Sequence, residues 1–284
     1  MDLEQFLYKD QIEKELEFSK VYRYLDKYIN EKTFAIADIQ NVNSVKQNKT
    51  IWIFWMQGME NAPALVRKCY ESVCKNVPQG YDIILLTDKN LREYVSLPRF
   101  IWDKYEQGYI TTTHLSDIIR VELLCTYGGC WVDATVFCSG PVPEYMVSGE
   151  MFLFQDSITE KLVIKMSSWW LCAEKTNRLM HAVRNMLYDF WEQETDIHNY
   201  FVLHIMISRL IDADAECKRI FNEIPYFNNS TPHILWRRLG REFKERDWEI
   251  LRGNTPVHKL SYKKRFLRGD IDSFYQALME GKLG

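Results

Sequence analysis

The chain has no run approaching the roughly 18 apolar residues that a membrane-spanning helix needs, and its N-terminus lacks the basic start and apolar centre of a secretory signal. Any membrane contact is therefore expected to be peripheral. There is no basic excess either. The 36 Lys and Arg against 39 Asp and Glu leave a net charge of −3 and a pI near 6.1, which argues against a general nucleic-acid binder. Neither a GxGxxG pattern nor a P-loop is present, so dinucleotide and triphosphate readings lose support. The seven cysteines are odd in number and scattered through apolar contexts such as Leu124-Cys125 and Phe137-Cys138. Cys69 with Cys74, and Cys125 with Cys130, lack histidines at metal-site spacing, so buried, reduced thiols in a cytosolic protein are expected. No internal repeat or low-complexity segment appears.

What is present suffices for a sizeable core: 284 residues with 46% apolar content fit one large domain, or one domain with a helical appendage. Residues 1–49 read as a helical N-terminal extension, since Leu3, Phe6, Leu7, Ile12, Leu16, Phe18, Tyr22, Leu25 and Ile29 recur at helical spacings. The polar stretch from Asn41 reads as a linker, and residues 50–284 as the main domain. There, Ile51 to Trp55 is a short β-run, the Pro63 region opens a helix reaching roughly Lys75, and Tyr81 to Thr87 is a second strand with Asp88 as the expected cap of the next helix. A helix is expected over Trp102 to Gln107, strands over Met151 to Phe154 and Trp169 to Cys172, and helices from Arg178 to Glu194 and from Asn199 onward. Further on, Arg237, Arg238, Arg241, Lys244 and Arg246 alternate with Trp236, Phe243 and Trp248. This pattern usually marks a solvated helix face, although Lys263, Lys264, Arg265, Phe266, Leu267 and Arg268 raise the case for an anionic surface.

The chain is organised around residues 113–135. Leu115, Ile118, Ile119, Val121, Leu123 and Leu124 cover more than one side of a helical wheel, so this helix is expected to be mostly buried. Yet it carries Asp117 and Arg120 three residues apart, on one face. Two such charges are costly in apolar surroundings unless they satisfy each other or a ligand. Gly128-Gly129 ends the helix, Trp131-Val132 returns as a strand, and Asp133 closes it. Singly, the charges fit an intrahelical ion pair and Asp133 fits a turn residue. Together they point to a site, because carboxyl ends of strands in open α/β sheets are where ligands bind.

The ordered set Ser116-Asp117-x-x-Arg120 and Gly128-Gly129-x-Trp131-x-Asp133-Ala134-Thr135 resembles the capsular polysaccharide synthesis branch of the family 32 type glycosyltransferases, relatives of the glucosylating clostridial toxins. The resemblance runs from about Thr50 to Lys264, taking in Ile51-Trp52-Ile53-Phe54-Trp55-Met56-Gln57-Gly58 and His258-Lys259-Leu260-Ser261-Tyr262-Lys263. It implies a GT-A type α/β fold with a mixed central sheet and a C-terminal lid segment. It also implies a nucleoside diphosphate sugar donor, most often a uridine one, and a surface or capsular glycan acceptor, free or lipid-linked, at the inner face of the cell membrane.

By the same resemblance, Trp55 and Gln57 contact base and ribose, whereas Trp52 reads as core. Asp117 and Arg120 meet the sugar hydroxyls, Asp133 serves the metal or ribose region, and His258 and Lys263 serve metal and diphosphate. Asn199 lies near the reacting carbon, with His114 and His204 as weaker candidates. A divalent cation, Mn²⁺ or Mg²⁺, is implied, with Asp133, Thr135 and His258 as its ligands. The family's common Asp-x-Asp is here Asp133-x-Thr135, and a hydroxyl is a weaker ligand than a carboxylate for a hard cation. That departure keeps a rival open: a non-catalytic nucleotide-sugar or carbohydrate binding subunit of a polysaccharide synthesis complex. Retention of anomeric configuration is also implied, and front-side attack would need no dedicated general base, in keeping with the lack of an obvious catalytic dyad.

Overall fold

The computed structural model describes residues 3–36, 49–157, 161–263 and 272–284, with side chains from Asp10 onward. The polar stretch after Asn41, and the run Lys264 to Arg268, lie outside the described residues, as do the side chains of Leu3, Phe6 and Leu7. After the N-terminal helix α1 (Leu3–Tyr24) come β1 (Thr50–Phe54), α2 (Ala64–Asn76), β2 (Asp82–Leu86), α3 (Leu91–Tyr94), α4 (Arg99–Glu106) and α5 (Thr112–Thr126). The chain continues through β3 (Gly129–Val132), β4 (Val136–Cys138), β5 (Met151–Gln155), β6 (Met166–Ala173), α6 (Arg178–Gln193), α7 (Val202–Ala213) and α8 (Ala215–Glu223). It ends with α9 (Ile234–Arg238), α10 (Glu245–Asn254), β7 (Val257–Lys259) and α11 (Phe274–Met279).

The expected mixed central sheet is found. Its strand order is β2-β1-β3-β6-β5, with β1 parallel to both β2 and β3, and β6 antiparallel to both β3 and β5. Strand alternation divides its side chains between two cores. Trp52, Phe54 and Trp131 face α5, α6 and α7, while Ile51, Ile53, Cys130 and Val132 face the other way, against Val66 and Val73 of α2. A third cluster gathers Phe137, Trp248, Leu260 and Phe274 beneath the short sheet that β4 and β7 make by themselves. Val136-Phe137 was expected to continue or re-pair in the main sheet; it pairs with β7 instead.

Other expectations shift. Helix α4 begins at Arg99, before Trp102. The cap of α3 is Asn90 rather than Asp88, because the Asn90 amide oxygen accepts from the Thr87 backbone N–H at 2.8 Å and holds the turn. The N-terminal helix is amphipathic only in part: Phe18 and Val21 are buried, as is Leu25 just beyond its end, whereas Ile12 and Leu16 are each 57% exposed. Its buried residues belong to the same core as α5, α6 and α7, so the core is continuous across residue 49. All seven cysteines are free; six are buried as expected, and Cys74 is exposed. No helix among the described residues is long and apolar enough to cross a membrane.

Candidate functional site

The carboxyl ends of β1 and β3 open onto a cavity of about 770 Å³, large enough for a nucleotide-sized ligand. Its floor carries Phe54, Trp55, Met56 and Gln57 after β1, and Trp131, Asp133, Ala134 and Thr135 after β3. One wall is the face of α5 bearing Thr112, Thr113, Ser116 and Arg120, at spacings of three to four residues along the helix. The opposite wall is Lys259 to Lys263 at the end of β7, with Tyr200, His233 and Trp236 at the margin.

Two glycines let the helix turn so sharply into the strand. Gly128 and Gly129 have φ of 73° and 100°, a region that other residues avoid. A side chain at Gly129 would stand 2.5 Å from the Thr50 carbonyl oxygen, so β3 could not lie against β1. Trp52 Nε1 donates to the Gly128 carbonyl at 2.9 Å, which makes Trp52 a core residue as expected.

Arg120 is the centre of the polar network. Its Nη1 donates to the Ser168 carbonyl at 2.7 Å and to Ser168 Oγ at 2.6 Å. Its Nη2 lies 3.1 Å from Asp117 Oδ1 and 3.5 Å from Asp133 Oδ1, and the guanidinium sits 5.0 Å from the Trp131 ring centroid. Behind it, Trp191 Nε1 donates to His114 Nε2 at 2.8 Å. The ring proton of His114 is thereby on Nδ1, 3.3 Å from Asp117 Oδ2. Both oxygens of Asp117 are occupied inside the protein. Burial acts to raise the Asp117 pKa, but Arg120 and His114 outweigh it and hold the carboxyl below its ordinary range.

Asp133 is the open counterpart. Its Oδ1 accepts from Trp131 Nε1 at 2.8 Å, and its Oδ2 accepts from Lys259 Nζ at 2.7 Å. The same ammonium donates to Thr135 Oγ1 at 2.7 Å. Burial again pulls the Asp133 pKa upward, and Lys259 and Arg120 override it, so the carboxylate stays ionised well below neutrality.

Of the residues singled out in the sequence, Trp55, Gln57, Arg120, Asp133, Thr135 and Lys263 line this one cavity. Trp55 Nε1 is buried with no hydrogen-bond partner among the described residues, and its ring stands edge-on to Tyr262 with centroids 5.3 Å apart. Asp117, Asn199 and His258 do not line it, and neither do the weaker candidates His114 and His204, the latter with Nε2 3.2 Å from Ser168 Oγ. Asp117 is turned behind Arg120 by His114 and Trp191. The Asn199 amide oxygen accepts from the Phe201 backbone N–H at 2.8 Å and ties down the turn into α7, leaving its neighbour Tyr200 at the cavity. His258 faces the third core, stacked on Phe137 and against Trp248, with Nε2 3.0 Å from Ser139 Oγ. Burial pushes its pKa down to about 3.

The metal ligand set expected from the sequence is therefore not assembled. His258 is on the far side of β7, Asp133 and Thr135 share the Lys259 ammonium, and no cluster of three His, Cys, Asp or Glu suited to a metal occurs among the described residues. A cation joining Asp133 here would have to displace an ammonium and sit beside a guanidinium, against the like-charge repulsion of both. The residues present do not fit a protein-held divalent ion.

Lys259 is the site residue that had no role in the sequence reading. Position along β7 was the available signal, since neighbours in a strand point to opposite sides and only one of His258 and Lys259 could face the cavity. The pairing of Val136 with Lys259 and of Phe137 with His258 fixes which one does.

Among curated proteins, this chain is 28% identical over 109 residues to O-glycosyltransferase braB of Annulohypoxylon truncatum, matching 36% of this chain and 26% of that protein. It is 26% identical over 108 residues to Glycosyltransferase afumC of Aspergillus fumigatus, matching 34% of this chain and 28% of that protein. The chain thus spans little more than a quarter of the length of these relatives. The solved PaToxG Glycosyltransferase overlays on 74% of this chain and 84% of its own, at a TM-score of 0.39 and 12% identity, a likeness too remote to weigh in the argument. The family profile described as capsular polysaccharide synthesis protein, by contrast, matches residues 4–278, a span that includes every wall of the cavity, and the chain belongs to that family.

Proposed function

We propose that this protein is a glycosyltransferase of GT-A type that moves a hexose or N-acetylhexosamine from a nucleoside diphosphate sugar, a uridine one by preference, to a surface or capsular polysaccharide acceptor. The observation that carries the reading is the convergence of Arg120, Asp133 and Lys259 on one cavity at the carboxyl ends of the parallel strands β1 and β3. Family membership and relatives named as glycosyltransferases support it.

In this reading, Trp55 and Tyr262 flank the base, and Gln57 binds the ribose or base edge. The cations Arg120, Lys259 and Lys263 face the diphosphate and the sugar. During transfer, the bond from the anomeric carbon to the β-phosphate oxygen breaks with both electrons going to that oxygen. The acceptor hydroxyl oxygen bonds to the same carbon, and its proton passes to the departing phosphate. Positive groups held in place in advance lower the barrier by stabilising charge as it develops on the leaving group. Asp133, ionised at neutral pH, faces the positive charge that develops on the sugar. Attack from the leaving-group side retains configuration and needs no separate base. An acceptor at the inner membrane face would be reached by peripheral contact.

The test is a screen of uridine and guanosine diphosphate sugars for donor hydrolysis and for transfer, followed by nuclear magnetic resonance of the product's anomeric centre. Turnover with an axial-to-axial outcome supports a retaining transferase. Tight donor binding with no hydrolysis of any sugar nucleotide overturns it in favour of a binding subunit.

A further inference from the structure

We propose that Lys259 is the resident cation of this site: its ammonium, held by Asp133 and Thr135, takes the place of a divalent metal and binds the donor's diphosphate directly. The inference rests on the proposed nucleoside diphosphate sugar donor and specifies how that donor is held.

Three observations carry it. The ammonium lies 2.7 Å from both Asp133 Oδ2 and Thr135 Oγ1, so it bridges the two positions that correspond to the acidic pair of the usual metal-binding motif. Thr135 is then the residue the geometry calls for. One carboxylate balances the single charge of an ammonium, and a hydroxyl supplies a second acceptor without excess negative charge, whereas a second carboxylate would suit a doubly charged ion. The ammonium is also fixed in place. Lys259 belongs to β7, whose pairing with β4 sets its direction, and Thr135 and Leu260 are joined by a backbone hydrogen bond at 2.9 Å, which locks the two loops together. An ammonium has three N–H donors. Asp133 and Thr135 take two; among the described residues no side chain takes the third, which leaves it for the cavity that the residue lines.

The charge count agrees. The cations Arg120, Lys259 and Lys263 stand against the carboxylates Asp117 and Asp133, leaving a positive surplus opposite a diphosphate. A divalent ion would add two further charges to that surplus and compete for carboxylate oxygens that already accept from Trp131 and Lys259. On transfer, Lys259 and its neighbours take up the charge arriving on the departing β-phosphate oxygen as ion pairs, and the acceptor's proton still passes to that phosphate.

The experiment is calorimetric titration of the intact protein with UDP, GDP and inorganic pyrophosphate, in excess chelator and again with Mn²⁺, on wild type, Lys259→Met and Lys259→Arg. Thermal denaturation of each variant, run alongside, confirms that it is folded. The expected result is nucleotide binding in chelator within about threefold of that with Mn²⁺. Affinity should fall about 10- to 100-fold in Lys259→Met, the loss of one charge-assisted contact, and largely return in Lys259→Arg. Binding to wild type that appears only with Mn²⁺ overturns the inference and leaves the transferase reading standing. Binding in chelator that Lys259→Met does not weaken also overturns it. No binding of any probe under either condition overturns both.

Discussion

Arg120 stands between two carboxylates in contrasting surroundings. Asp117, on the same helix, is sealed behind it: His114 and Arg120 occupy its oxygens, and Trp191 from α6 closes the network. Asp133, beyond the two glycines, borders the cavity and is met by Lys259 from the far end of the chain. Both carboxylates are ionised for the same electrostatic reason, opposing cations outweighing burial. The difference lies in what remains free. Asp117 has no open side, so its work is to fix the guanidinium; Asp133 and its ammonium partner are open to a ligand. A charged residue in a site can thus belong to the frame or to the machinery, and its partners decide which.

The sharpest way to break this contrast is at the group both carboxylates share. Arg120→Ala leaves Asp117 buried without its cation and the Ser168 carbonyl without its donor, and should cost about 3–5 kcal/mol in chemical denaturation as well as abolish transfer. Asp117→Asn and Asp133→Asn should then separate. The first should lower stability by about 1–3 kcal/mol, with turnover falling as Arg120 loses its orientation. The second should lower the melting temperature less than the first, because its site is open to water, while turnover drops about 100-fold or more. Equal stability losses in the two variants would erase the distinction.

Acid should act on the buried frame. Burial lowers His204 from the ordinary 6.5 to about 4 and His258 to about 3. Below pH 6.5 the unfolded chain therefore binds protons that the native protein refuses. Native stability is full above that pH and declines as pH falls toward 4, by up to about 1.4 kcal/mol per pH unit for each histidine. Denaturation midpoints measured between pH 7 and pH 4 check this, and a flat profile would contradict the buried, neutral imidazoles. The smallest effect is expected at Asn199. Asn199→Ala removes one turn-stabilising hydrogen bond and should cost about 1 kcal/mol without changing the rate of donor hydrolysis, as thermal melts and a turnover assay would show. A large rate loss would return Asn199 to the reacting centre.

Much of this was legible in the sequence, and what was not has identifiable causes. The buried helix, the diglycine turn and the strand ending at Asp133 could be read because helical periodicity is sustained over α5, and glycines at positive φ leave few alternatives. Individual strands could be placed from short apolar runs bounded by turn residues, whereas the mixed order of the sheet was implied only by the family resemblance. Strand alternation says that only one of His258 and Lys259 can face the cavity, but a three-residue strand does not say which; that depends on pairing with Phe137 and Val136, more than 100 residues earlier. Asp117 and Arg120 do share a face of α5, but a helical wheel does not show that Trp191 and His114 occupy the space on one side of that face. The expected cap at Asp88 failed for a local reason: Asn90, two residues on, makes the turn. In each case the missing information was a long-range partner or a competing side chain of equal propensity.

The central claim is that the cavity bounded by Arg120, Asp133 and Lys259 carries out glycosyl transfer. Its most direct test is turnover of the best uridine diphosphate sugar by wild type and by Asp133→Ala, in chelator and with Mn²⁺. The account predicts measurable hydrolysis or transfer by the wild type and a loss of about 100-fold or more in the variant under both conditions. Equal turnover by the two proteins would contradict it.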